Sequence, residues 1–275
     1  MKPPAITRKD GPLGRFYQID GKPIPYPSLT HVLSVIAKPA LIAWAANQER
    51  TFVSDVAADL YDDLHGTPKM SRPTFLTTLK SRLGTAKAHT KELAKAADIG
   101  SQTHAIIEWQ LRRSLGQKVG PEPKLSDKAM WAYMSWQDWA GSVSLKPLAI
   151  EQVVYSDTLK VAGTLDLLAE VNGIRTVIDW KTGKAVYREA FLQNVGYRAC
   201  LAEMGHEAAQ AGLVVRLPKV ETDPAFEAVI VEDYNEHYYA LRSAVELWRW
   251  WYVGEREYQA RRAASDAKAT ELVEV

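Results

Sequence analysis

The sequence has almost no cysteine, no long hydrophobic segment and no recognisable targeting signal. Cys200 is its single cysteine, so the chain forms no internal disulfide and no four-cysteine iron–sulfur cluster. The 275 residues contain no apolar run of about 18 or more residues, and residues 1–14 lack the apolar core of a signal peptide. We therefore expect no membrane association and a reducing, cytoplasmic location.

Net charge and several familiar catalytic motifs are also missing. The chain carries 34 Lys and Arg against 33 Asp and Glu, a net charge of +1, so any contact with nucleic acid must come from local patches. There is no P-loop, no Gly-x-Ser-x-Gly and no zinc-type set of Cys and His. We therefore expect no helicase motor within this chain.

A β-hairpin is predicted in residues 160–184. Residues 161–171 are rich in Val, Leu and Thr, and residues 174–180 form a second short apolar run. Asn172 and Gly173 lie between them, and this pair tolerates the positive φ angles of a two-residue hairpin turn. The two runs are therefore predicted to be antiparallel neighbours.

The hairpin carries two carboxylates and an ammonium. Asp166 is on its first strand, and Asp179 and Lys181, two residues apart on the second strand, share a face, with Trp180 on the opposite face. Two hard oxygen ligands beside a cation suit a divalent metal that acts on a phosphate. An ordinary surface cluster of ion pairs is the alternative, which a bare Asp-x-Lys would favour. The longer string, Gly-Thr-Leu-Asp followed by Asn-Gly and Val-Ile-Asp-Trp-Lys-Thr-Gly-Lys, favours the metal site.

Four motifs of this kind follow one another along residues 95–235. They are Gly100-x-x-x-His104, Gly163-x-x-Asp166, Asp179-x-Lys181 and Gln193-x-x-x-Tyr197. In order and spacing the set resembles the PD-(D/E)XK nuclease superfamily, in particular its RecB-type exonuclease branch. In this respect the chain is also similar to phage and mitochondrial genome-maintenance exonucleases.

The resemblance implies an α/β fold with a restriction-endonuclease-like core, a central mixed β-sheet flanked by helices. Three strands, a helix and one or two further strands are expected in residues 148–231. We predict an N-terminal arm and helical portion (1–98), a nuclease core with a C-terminal helix (99–264), and a frayed tail (265–275).

The resemblance also implies roles for individual residues. The implied metal ligands are His104, Asp166, Asp179 and the backbone carbonyl of Trp180. The metal is Mg²⁺ or Mn²⁺, and an imidazole ligand makes Mn²⁺ fit at least as well. Some RecB-type nucleases carry an iron–sulfur cluster, and this chain differs from them because it has only one cysteine.

The remaining implied roles concern the reaction and the DNA backbone. Lys181 positions the attacking water and stabilises developing charge, while Gln193 and Tyr197 hold the DNA backbone or that water. Glu108, one turn from His104, and Glu151 are expected to support the site.

Contacts to phosphate are predicted on basic side chains outside the four motifs. A helix is predicted from about residue 74 through residue 95, and a second from about residue 100. Candidate phosphate contacts are Lys87, Lys91 and Lys95, which repeat every four residues, together with Arg112, Arg113 and Lys184.

The sequence thus predicts a metal-dependent DNA exonuclease that acts on single-stranded or frayed ends in recombination, repair or phage DNA processing. A PD-(D/E)XK endonuclease, an inactive nucleic-acid-binding module and a partner-recruiting structural protein are the alternatives. Recombination proteins or single-strand-binding proteins are the expected partners. Strand polarity, DNA against RNA and oligomeric state stay open.

Overall fold

A computed structural model describes residues 4–11, 14–36, 38–64, 70–85 and 87–273, without the side chains of residues 39–40 and 256–273. The described residues form eight strands and seven α-helices. In chain order they are β1 (Ile6–Gly11), β2 (Gly14–Ile19), β3 (Tyr26–Pro27), α1 (Leu29–Val32), α2 (Pro39–Leu64), α3 (Arg72–Leu83), α4 (Ala88–Ser114), α5 (Asp127–Ser142), β4 (Leu145–Ser156), β5 (Val161–Val171), β6 (Ile174–Lys181), α6 (Arg188–Glu203), β7 (Ala211–Arg216), β8 (Glu227–Ile230) and α7 (Tyr234–Val273).

The central sheet contains five strands in the order β4-β5-β6-β7-β8. Strands β6 and β7 are parallel because α6 connects them, and the other neighbours are antiparallel. Asn172 and Gly173 have φ angles of 50° and 82° and join paired residues Val171 and Ile174, which confirms the predicted hairpin. The predicted mixed sheet is therefore confirmed.

Helices cover both faces of this sheet, so its strands are buried on both sides. On one face, Ile107 of α4 and Trp136 of α5 pack in a cluster with Trp180 of β6. On the other face, a second cluster joins Val177 of β6 to α6 and to Leu241 of α7. Alternate residues of β6 thus enter opposite cores, which fixes the direction in which Asp179 and Lys181 point.

A second, three-stranded sheet is formed by β1, β2 and β3. Strands β2 and β3 form an N-terminal hairpin, and β1, which was not predicted, pairs with the other side of β2. Ser28 ends this region and caps α1, since its hydroxyl accepts a hydrogen bond from the His31 amide at 3.0 Å. Tyr26 and Lys22 bind Asp157, in the turn between β4 and β5, at 2.7 and 2.6 Å.

The helices before the central sheet differ from the prediction. The helix predicted from residue 74 through residue 95, with a new helix near residue 100, is wrong: α3 ends at Leu83, where Gly84 follows with a φ of 62°, and α4 runs without a break from Ala88 to Ser114. No glycine or proline lies between Ala88 and Asp98, and Gly100 alone does not end a helix.

The chain divides into two compact units. One comprises residues 1–36 and 102–275, and the other comprises residues 37–101. Helix α7 extends to Val273, and the predicted boundaries after residues 98 and 264 stay predictions. In the described part of the chain, no helix combines the length and apolar character that a bilayer crossing requires.

Candidate active site

The pairing between β5 and β6 ends close to the two aspartates. Its last pair is Leu167 with Ile178, so Asp166 and Asp179 lie opposite each other immediately beyond it. There the amide of Trp180 donates a hydrogen bond to Asp166 Oδ2 at 2.8 Å instead of to a strand. Because the N–H and C=O groups of one strand residue point to the same side, the carbonyl of Trp180 also points toward β5. This is the direction expected of the predicted carbonyl ligand.

Asp179 and Lys181 lie on one face of β6, as predicted. Lys181 Nζ is 2.6 Å from Asp179 Oδ2, and Asp179 is only 1% exposed. Trp180 points the other way, with ring contacts to Trp136 and Trp139. Among the described residues, Asp179 Oδ1 is buried without a hydrogen-bond donor. A buried carboxylate oxygen without a donor is costly, which favours a cation as its missing partner.

Helix α4 brings His104 to this cluster. His104 Nδ1 is 3.4 Å from Asp166 Oδ1 and 3.9 Å from Glu151 Oε1. Ligand atoms of His104, Glu151 and Asp166 lie within 4.8 Å of one another. Glu151, predicted only as a supporting residue, therefore completes this triad, whereas the predicted ligand Asp179 is paired with Lys181.

Glu151 adopts an unusual backbone conformation in the middle of β4. Its φ is +48°, although it is not glycine and its neighbours Ile150 and Gln152 pair regularly with Leu167 and Leu165. This register places Glu151 opposite Asp166. Left-handed conformations of such residues cost of order 1–3 kcal/mol and concentrate at functional sites. The fold thus bears a local strain to bring this carboxylate to the cluster.

The electrostatics of the cluster follow from its burial and its mixed charges. Burial by itself lowers the pKa of His104, but Asp166 and Glu151 outweigh it and raise that pKa to about 10. Burial also raises the pKa of Asp179, against the opposing attraction of Lys181. For Asp166, burial is outweighed by His104 and Lys181, so its pKa is lowered. The imidazolium is thus the counter-charge of two carboxylates, a position that a divalent cation also suits.

These residues fit a divalent metal. The donor set of carboxylate oxygens and one imidazole nitrogen suits Mn²⁺ or Mg²⁺, and Asp179 Oδ1 provides a further oxygen. Lys181 supplies the positive charge beside it. His104, Asp166 and Glu151, with Asp179 and the Trp180 carbonyl, are the residues that would hold the ion.

A hydrogen-bond chain connects Lys181 to α6. Lys181 Nζ donates to Gln193 Oε1 at 3.1 Å, and Gln193 Nε2 donates to Tyr197 Oη at 2.8 Å. The two predicted residues of α6 thus share one face and reach Lys181. A Cβ on Gly163 would lie 2.6 Å from Cε1 of Tyr197, so the glycine of the Gly-x-x-Asp motif makes room for this ring.

Two of the predicted accessory residues bind each other. Glu108 Oε1 accepts a hydrogen bond from Arg112 Nε at 2.7 Å, which differs from the predicted support of His104. Arg112 also donates to the Ile150 carbonyl at 3.1 Å, so it braces β4 beside Glu151 and is only partly exposed, while its contact with phosphate stays a prediction. Arg113 is exposed, with its guanidinium 5.0 Å from the centre of the Trp109 ring.

The predicted lysine contacts lie in different units. Lys184 is exposed just after β6. Lys87, Lys91 and Lys95 belong to the unit of residues 37–101, where Lys91 lies over the Phe52 ring and Lys95 pairs with Glu92. Their contact with phosphate stays a prediction.

Arg216 was not predicted. It pairs in register with Lys181, is 1% exposed, and approaches Glu227 at 3.3 Å. Its burial next to Lys181 depends on the parallel pairing of β6 and β7, which the sequence of one strand does not reveal.

Comparison with known proteins agrees with this geometry. The sequence model of the PD-(D/E)XK nuclease superfamily matches residues 75–266, so the chain belongs to the PD-(D/E)XK nuclease superfamily. Nucleases of this superfamily use divalent metals and act on nucleic acid. No curated protein gives a significant match.

Two solved structures are similar to parts of this chain. An alkaline exonuclease (LHK-Exo) from Laribacter hongkongensis has 15% identity over 60% of this chain and 85% of its own, with a TM-score of 0.35. LHK-Exo in complex with dAMP has 13% identity over 62% of this chain and 91% of its own, with a TM-score of 0.36.

Proposed function

We propose that this nuclease is a metal-dependent DNA exonuclease of the RecB type, which hydrolyses phosphodiester bonds at single-stranded or frayed ends. The observation that carries the proposal is the meeting of Asp166, Asp179 and Lys181 with His104 and Glu151 where β5 and β6 separate. A module that only bound nucleic acid would have no need to bury these opposing charges together.

The residues of the site divide the chemistry among them. Bound there, a divalent ion supplies Lewis acidity to the phosphate and activates water. Lys181 is positively charged, since Asp179 and Asp166 outweigh the effect of burial and raise its pKa. Its ammonium therefore offers fixed positive charge to the transition state, while Gln193 restricts its position. Tyr197, whose pKa burial raises well above 10, presents a neutral phenol.

An end-processing reaction is the proposed mode of action. The motif order supports it, because the Gln-x-x-x-Tyr motif and the motif histidine are the features in which this chain resembles RecB-type exonucleases. Trp250 and Trp251 are 67% and 58% exposed on α7 and offer rings on which unpaired bases can stack without sequence readout. Recombination, repair or phage DNA processing is the proposed context. Site-specific endonuclease action is the competing function.

The deciding experiment compares linear and covalently closed single-stranded DNA of the same sequence, with Mg²⁺ or Mn²⁺. We expect the linear form to disappear while circles stay intact. Equal cutting of the circles, or discrete sequence-dependent fragments, would instead establish an endonuclease.

A matched pair of lysine variants ties activity to the site. Lys181→Ala should lose activity, whereas Lys146→Ala, which breaks an exposed ion pair with Glu170 on the same sheet, should keep it. If Lys181→Ala stays within about tenfold of the wild type, or roughly 1.4 kcal/mol of barrier, the role of Lys181 is wrong.

A further inference from the structure

Three lysines from separate parts of the chain lie together beside the active site. We call Lys128, Lys184 and Lys219 the lysine cluster. Lys184 is three residues beyond Lys181, the last residue of β6, and Lys219 is three residues beyond Arg216, the last residue of β7. Because these strands are parallel and their last residues pair in register, both lysines leave the same edge of the sheet.

Lys128 lies in the first turn of α5, and its charge acts on Lys219. Burial lowers the pKa of Lys219, and the positive charges of Lys128 and Lys184 lower it further, while Asp223 opposes them. Lys219 is thus near enough to both Lys128 and Lys184 to be repelled by their charges. Three residues of extended chain span about 10 Å, so Lys184 lies within that distance of Lys181 along the backbone.

The lysine cluster has an acidic neighbour and two exposed members. Asp223 is the acidic residue that acts on Lys219, and its Oδ2 already accepts a hydrogen bond from the Lys219 amide at 2.9 Å. Lys128 and Lys184 are exposed. Positive charges gathered at one edge of a sheet repel one another, and a polyanion relieves that repulsion when it binds.

We propose that the lysine cluster binds the phosphate backbone of the DNA strand next to the scissile bond. The strand then leaves the active site across the carboxyl ends of β6 and β7, toward the start of α5. This inference rests on the proposed function for the identity of the strand. The cluster acts in binding, since none of its members belongs to the metal-ligand group or to the hydrogen-bond chain of Lys181.

The first test measures binding without cleavage. A labelled single-stranded 20-mer is titrated with protein in EDTA at several salt concentrations, and the slope of log affinity against log salt is determined. The variant Lys128→Gln/Lys184→Gln/Lys219→Gln should lose about 2 from the magnitude of that slope, at about 0.7 per phosphate contact on a single strand. The matched control changes three exposed lysines elsewhere in the same unit and should keep the wild-type slope: Lys9→Gln/Lys118→Gln/Lys146→Gln.

The second test is kinetic. On the 20-mer, the cluster variant should show a KM raised at least about tenfold with kcat unchanged at saturation, and its Mn²⁺ affinity should equal that of the wild type, which shows that the fold and the metal site are intact. An unchanged salt slope, or a loss of kcat with an unchanged KM, would overturn the inference. Failure of the proposed function would appear differently, as wild-type binding in EDTA without end-dependent hydrolysis in Mg²⁺ or Mn²⁺.

Discussion

Replacing Gly163 by alanine tests whether packing behind the active site holds the catalytic lysine in place. The new Cβ would lie 2.6 Å from Cε1 of Tyr197, closer than real side chains approach, so the ring must move. Tyr197 is 3% exposed and cannot swing into solvent without opening the core. Through Gln193, its displacement should disturb Lys181.

The magnitude follows from two opposing effects. Overpacking of a filled core costs about 1–3 kcal/mol, and the lower backbone entropy of alanine returns about 0.5–1 kcal/mol. Gly163→Ala should therefore destabilise the fold by about 1–2 kcal/mol. Tyr197→Ala alone should cost about 3–5 kcal/mol, as for other large aromatic side chains. In the double variant the ring is gone, so the added methyl group becomes neutral or slightly stabilising, which gives an interaction energy of about 2 kcal/mol.

Urea unfolding of the wild type, both single variants and the double variant supplies the four free energies. Activity on linear DNA is measured in parallel, and Gly163→Ala should lose about tenfold in kcat. Gly141→Ala is the control, because nothing lies within 4 Å of its added Cβ near the end of α5, and it should stabilise by about 0.5–1 kcal/mol. Additivity of the two core changes within about 0.5 kcal/mol would refute the reasoning.

Two further predictions concern the metal and the N-terminal hairpin. Asp166→Asn should weaken Mn²⁺ binding by about 100-fold or more. His104→Ala should weaken it less, and higher Mn²⁺ should partly restore the activity of that variant. If calorimetry gives the same Mn²⁺ affinity for both variants and the wild type, the metal binds elsewhere. Asp157→Asn should cost about 1–2 kcal/mol at pH 7, because Lys22 and Tyr26 lose a charged acceptor. Burial would raise the pKa of Asp157, but Lys22 and Tyr26 outweigh it and lower that pKa. The difference in free energy of unfolding between wild type and variant should therefore persist above about pH 4 and vanish as the pH falls through the lowered pKa. Urea unfolding at a series of pH values measures this difference.

The central sheet could be predicted because its signals are local. The Asn172-Gly173 turn and the alternation along β6 depend on neighbouring residues, and both hold in the structure. Strand β1 gave no such signal, since its sequence Ile-Thr-Arg-Lys-Asp-Gly has one apolar residue and is stabilised by pairing with β2. The continuous helix α4 was not predicted, because glycine often marks the end of a helix, whereas Gly100 lies inside this one.

In the candidate site, too, features set by neighbouring residues could be predicted, and features set by tertiary packing could not. Asp179 and Lys181 share a face for a reason that lies within one strand, and the sequence could show it. The position of Glu151 depends on a left-handed residue within β4, and no pattern of residue types predicts that angle. Arg112 was predicted only as a candidate phosphate contact, and the sequence did not show its hydrogen bond to Ile150, which joins α4 to β4 across 38 residues. Contacts of this kind arise from the packing of distant elements, which the periodicity of a sequence does not indicate.

The hydrogen-bond chain from Lys181 to Tyr197 has a fixed direction. An ammonium group can only donate, so the Gln193 oxygen must accept from it and the Gln193 nitrogen must face Tyr197. Since that nitrogen can only donate, the Tyr197 oxygen accepts its hydrogen bond through one lone pair, and the Tyr197 proton is available for a third group. The positive charge of Lys181 thus fixes the orientation of the Gln193 amide and leaves the phenol proton of Tyr197 available for donation.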